Sequence, residues 1–164
     1  VQPDKQDQRF PLADEYGGDL ARHVIQGLDH GVAMDQTDIR FAGTVVEWPV
    51  ENESWKAWSK AGVVDRTVGD VIETEIVWFA IGTAQFATHP GETPPGYSKA
   101  TKALMASEPK FVMGLTMDAL GYILKPEYFT NSAMPHAEYL TSMSLGSETG
   151  PRLMEALTNL IPAT

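Results

Sequence analysis

A glutamate held in a rigid turn just past a run of apolar residues can bind a metal or move a proton. The sequence offers one at Glu92, in His89-Pro90-Gly91-Glu92-Thr93-Pro94-Pro95-Gly96, where three prolines and two glycines restrict the backbone. Folds that alternate strands and helices place functional groups at the carboxyl ends of buried strands; a solvated loop carboxylate is the plainer reading of any single Glu. Tyr122 occupies a comparable place, after a short apolar segment and a glycine-flanked loop, with a structural tyrosine as its alternative. The four histidines, His23, His30, His89 and His136, form no HExxH or HxH pattern and therefore no self-contained zinc motif. His23 and His30 read as surface or capping residues of one helix. GxSxG, Walker and GxGxxG signatures are also missing. With no cysteine in the chain, disulfide scaffolds, thiolate zinc sites and cysteine nucleophiles are excluded.

These groups sit in 164 residues, 43% of them hydrophobic, enough to bury a core and to set intrinsic disorder aside. A formal charge of −10 argues against nucleic acid or an anionic membrane surface as partner, because either would repel it. The longest apolar stretch, Ile76 to Ile81, is too short to cross a bilayer, so no integral membrane segment is expected. The first residue is Val1 rather than Met, and no basic flank with an apolar run precedes Phe10, which suggests a processed, cloned or cleaved end.

The elements that must position these groups follow from periodicity. Residues 1–14 are polar and proline-punctuated and read as an extended arm, with 15–164 globular. A helix is expected over about 17–30, where Leu20, Val24, Ile25 and Leu28 form one stripe. A strand follows over 38–50, ended by Pro49, then a short helix with Trp55 and Trp58 as core anchors. The strongest strand signal starts at Val71: Ile72, Thr74, Ile76, Trp78 and Ala80 point one way, and Glu73, Glu75, Val77, Phe79 and Ile81 the other. Gly82-Thr83 turns it into a second strand over 84–88. Because Val77, Phe79 and Ile81 replace the glutamates, the later half of this hairpin is expected to be buried on both faces. A helix over 97–107, a strand over 110–115, a helical turn over 126–129, an irregular stretch over 130–146 and a helix over 148–160 complete the chain. The expected fold is mixed α/β (α+β): a layered sheet with an antiparallel hairpin, flanked by helices.

Three ordered motifs carry a family resemblance across roughly residues 72–151. Ile72 to Ile76 together with Phe86 to Glu92 resembles the strand pair and "PGE" loop of the neutral/alkaline ceramidases and their bacterial relatives. Gly114-Leu115-Thr116-Met117-Asp118-Ala119-Leu120-Gly121-Tyr122-Ile123 is similar to their "GLxNDxxGYI" segment, with Met117 in place of the asparagine. Ser142 to Pro151 is similar to their "SMSLGPETGP".

The resemblance implies a zinc-dependent amidase cleaving a ceramide-like N-acyl amide. It implies Glu92 and Tyr122 as metal ligands and Tyr139 as a catalytic residue near the scissile carbonyl. The family's zinc takes two further histidines from an earlier segment that has no counterpart here. Its serine segment reads roughly "SGDVSP", whereas this chain opens Val1-Gln2-Pro3. The resemblance therefore implies the C-terminal part of a catalytic domain with its N-terminal half absent, binding zinc poorly and inactive alone. Implied partners are that missing half or a self-associated copy, through an exposed apolar edge, and a small amphiphilic amide substrate. The implied location is secreted or periplasmic. The alternative is a non-catalytic interaction or structural domain that keeps the fold without a complete metal site.

Overall fold

The computed structural model describes residues 9–162. They belong to two units, one ending at Asp35 and the other beginning at Gln36; this division falls inside the region 15–164 expected to be globular. In the first unit, α1 runs over Arg9–Asp29. The expected arm is thus corrected over 9–14, which are helical, while 1–8 lie outside the described residues. Pro11 misleads a sequence reading here, because proline in a first turn lacks only an N–H that has no helical partner. The stripe Leu20, Val24, Ile25 and Leu28 is present on α1, each side chain more than half exposed.

The second unit is built on a four-stranded sheet of order β1-β2-β3-β4. β1 (Ile39–Pro49) and β2 (Val71–Ile81) pair antiparallel from Ile39↔Ile81 to Pro49↔Val71. Gly82, at φ 56°, closes the tight turn to β3 (Ala84–His89). α3 (Pro95–Leu104) then crosses over, so that β4 (Lys110–Gly114) lies parallel to β3. The architecture is mixed α+β with helices flanking the sheet.

The period of two decides which face holds the core. Ile72, Ile76, Trp78 and Ala80 are buried together with Trp48 and Ala87 against Leu153, Ala156 and Leu157 of α6 (Thr149–Leu160). Each of the larger apolar side chains among them contributes about 1.5–3 kcal/mol by leaving water. α2 (Glu53–Lys60) inserts Trp55 into the same core, with Trp58 packed against it at 5.9 Å between ring centroids. On the other face Glu73 and Glu75 are exposed, as their charge requires. Val77 is buried there, but Phe79 is only half-buried and Ile81 is exposed, so the expected burial of both faces holds for Val77 alone. Phe41, Phe79, Phe86 and Phe111 stand in register across all four strands. Rings 79 and 86 stack at 4.6 Å, and rings 86 and 111 at 4.8 Å.

After β4 come the single turn α4 (Glu127–Thr130) and α5 (Ala137–Ser142). The second of these corrects the irregular stretch expected over 130–146. Its six residues are too few for a periodic signal, and they are fixed locally: Ala137 is buried and Thr141 donates from Oγ1 to the Ala137 carbonyl at 2.7 Å. Asn52 joins this region to the start of the sheet. Its Oδ1 caps α2 at the Ser54 N–H, and its Nδ2 donates to the carbonyls of Ser142 (2.8 Å) and Ser144 (2.9 Å).

Candidate functional site

The carboxyl ends of the parallel strands β3 and β4 release two loops on the same side of the sheet. The first runs through Pro90-Gly91-Glu92 and the second through Leu115–Gly121. They are stitched along their length by backbone hydrogen bonds. Leu120 N–H donates to the Pro90 carbonyl at 2.9 Å, Glu92 N–H to Gly121 at 2.8 Å, and Ile123 N–H to Glu92 at 2.8 Å. The result is a parallel bridge between Glu92 and Tyr122. Gly121 extends the arrangement by an antiparallel bridge to Ser144, while Tyr122 N–H donates to Met143 at 3.3 Å.

Glycine is required at two points of this weave. A Cβ on Gly91 would stand 2.6 Å from the Gly121 carbonyl oxygen. Gly121 has φ 70°, and a Cβ there would collide with the Met143 carbonyl and press on the Trp55 ring.

Three side chains gather on this frame. Glu92 is exposed and Tyr122 half-buried. Tyr139 reaches them from α5, its ring edge-on to Tyr122 with 6.0 Å between centroids. Hydrogen bonding with Tyr139, partial burial and the charge of Glu92 together hold the Tyr122 hydroxyl above the usual tyrosine range. All three residues singled out in the sequence are thus in one neighbourhood. His23, His30 and His136 are exposed, and no group of three or more His, Cys, Asp or Glu suited to a metal occurs among the described residues.

Two supports of the site were not assigned in the sequence. His89, fully buried, lies between the hydroxyls of Thr93 (Nδ1, 2.9 Å) and Thr101 (Nε2, 3.0 Å). It ties the loop that carries Glu92 to α3, and burial pushes its imidazole down to about 4. A neutral ring between two hydroxyls satisfies both nitrogens, one as donor and one as acceptor. Asp118 performs the corresponding task in the second loop. Arg66 Nη1 donates to both of its oxygens at 2.8 and 2.7 Å, Thr74 Oγ1 adds 3.1 Å, and the Ala119 N–H adds 2.9 Å. This clamp fixes a loop in which Leu115 and Met117 have left-handed φ values of 51° and 74°. Asp118 lies inside the quoted "GLxNDxxGYI" similarity; nothing in the sequence marks Arg66, 52 positions earlier, as its partner.

No family model matches the chain, and no curated protein does. Among solved structures it is similar to one titled "Ceramidase complexed with C2", at 19% identity and a TM-score of 0.43 over 58% of this chain. It is likewise similar to the neutral ceramidase from Pseudomonas aeruginosa, at 18% identity and a TM-score of 0.43, again over 58% of this chain. The chain spans 16% of the length of each of these structures.

Proposed function

We propose that this chain supplies one side of a zinc-dependent amide-hydrolase site acting on an amphiphilic, ceramide-like N-acyl amide. The observation that carries the reading is the convergence of Glu92, Tyr122 and Tyr139, drawn from two strand-end loops and a separate helix. The Glu92 carboxylate and Tyr122 hydroxyl are hard oxygen donors on bridged residues, and they fit as half of a four-ligand zinc shell. The other half, two histidines, comes from outside this chain. A zinc ion held there would supply Lewis-acid polarisation of the amide carbonyl.

The remaining work falls to this chain's own groups. The backbone bonds at Glu92 and Ile123 hold the two donors in fixed register. The Tyr139 hydroxyl, beside Tyr122, donates a hydrogen bond to the oxygen on which negative charge develops. The Tyr122 proton is held more tightly than usual, so a zinc ion held by Glu92 and Tyr122 would have to compete with it.

The test is an assay of the full-length protein with zinc against N-acyl sphingosine and simpler N-acyl amines. Glu92→Gln is expected to lose both bound zinc and hydrolysis. Tyr139→Phe is expected to keep zinc while kcat falls by about 10²–10³. Metal and activity both surviving in Glu92→Gln overturns the assignment. A wild-type protein with neither supports the alternative of a non-catalytic domain.

A further inference from the structure

The peptide group between Gly121 and Tyr122 is held at both of its polar atoms. Its carbonyl accepts from the Glu92 N–H at 2.8 Å, and its N–H donates to the Met143 carbonyl at 3.3 Å. Gly121 stands directly against the Trp55 ring as well as the Met143 carbonyl. A Cβ there would lie 3.0 Å from Trp55 Cζ2 and overlap that carbonyl. One residue is bonded to both of these walls. Asn52 Oδ1 accepts from the Ser54 N–H and so caps α2, the helix that carries Trp55. Its Nδ2 donates to the carbonyls of Ser142 and Ser144, the two residues that flank Met143. The backbone N–H groups of Glu51 and Asn52 add bonds to the Leu145 carbonyl, at 2.9 and 3.1 Å.

We infer that Asn52 is a positioning residue for Tyr122. By joining α2 to the segment 142–144, it sets how closely the Trp55 ring and the Met143 carbonyl enclose Gly121. It thereby fixes the peptide group that leads into Tyr122, on the side away from Glu92. Asparagine suits the task because it combines an acceptor for the cap with two amide hydrogens for the carbonyls. Serine and aspartate cap a helix comparably, but neither brings those two hydrogens. Ser144 is fully buried, so water is a poor substitute at its carbonyl. The consequence for zinc rests on the site proposed above, whereas the positioning itself does not. Residues that orient a metal ligand from outside the shell typically govern about 10–100-fold of metal affinity.

Amide hydrogen exchange, followed by NMR on the 164-residue chain, reads the positioning without metal or substrate. Asn52→Ser keeps the cap and removes both donations. The Tyr122 N–H is then expected to exchange at least about tenfold faster. The Glu92 and Ile123 N–H groups, which bond across the Glu92 bridge, should keep their wild-type rates. Asn52→Asp is expected to act in the same way and keeps the test decisive should the serine variant misfold. Glu51→Ala removes a neighbouring contact of similar sequence span, to the Ser147 N–H, and should leave the Tyr122 rate unchanged. An unaltered Tyr122 rate in both Asn52 variants overturns the inference. So does an equal acceleration of all three amides, or one that Glu51→Ala reproduces. In the full-length protein, Asn52→Ser is expected to bind zinc at least about tenfold more weakly; affinity equal to that of the wild type overturns the inference as well. A wild type that takes up no zinc would fail the proposed site alone, and the exchange rates would still decide the role of Asn52.

Discussion

After β3 the chain is held at His89 by two hydroxyls and no charge; after β4 it is held at Asp118 by a guanidinium. The first anchor is fully buried, and the prolines that follow it, Pro90, Pro94 and Pro95, leave the backbone little freedom to lose. The second is partly solvated, with Arg66 31% and Asp118 21% exposed, and it restrains left-handed backbone at Leu115 and Met117. Glu92 and Tyr122 therefore meet on one anchor that is rigid and acid-sensitive and another that is charge-dependent and strained.

The largest effect that can break this contrast comes from pH. His89 has a folded-state value of about 4 against an ordinary 6.5, so between these limits the unfolded chain binds more protons. Stability from this group is complete above about pH 6.5 and is lost as pH falls toward 4, by about 3 kcal/mol in all. Urea melts at pH 7 and pH 4.5 should show the wild type losing stability that His89→Gln, which keeps a donor and an acceptor, does not lose. A gap between the two that ignores pH would mean that the first loop is not held by a neutral imidazole.

Removing the other anchor costs less. Asp118→Ala leaves Arg66 without its carboxylate, but water reaches both groups, so about 1–2 kcal/mol is expected. Arg66→Ala should cost a similar amount, and the double variant little more than either. Additive losses would show that the pair does not act as one clamp. The smallest effect has the opposite sign. Met117→Asn places a residue tolerant of left-handed backbone at φ 74° and should stabilise by roughly 0.5 kcal/mol. A neutral or negative change in thermal melting would show that the loop carries no such strain.

The sheet was legible because burial imposes a period of two, and Ile72, Thr74, Ile76, Trp78 and Ala80 report it directly. The start of α1 was not, since Pro11 looks the same in an arm and in a first helical turn. The six residues of α5 complete fewer than two turns and leave no periodic trace. Of the site, Glu92 and Tyr122 could be seen at strand ends, and Tyr139 only through motif similarity. Their supports were hidden for different reasons. His89 sat in plain view, but burial between two threonines is a property of packing. The pairing of Arg66 with Asp118 joins charges 52 positions apart, which sequence leaves free to pair elsewhere.

Asn52 has a consequence for the order in which the molecule assembles. Its side chain closes loops of 90 and 92 positions, and Glu51 closes another of 96 to Ser147. Contacts of such sequence separation carry a high closure entropy and form late. The β2–β3 hairpin, joined by two residues, needs no such closure. Tyr122 and Tyr139 lie far closer together in sequence, beside the Gly121–Ser144 bridge, so these long closures govern how that region docks on the segment after β1 rather than whether the two rings meet.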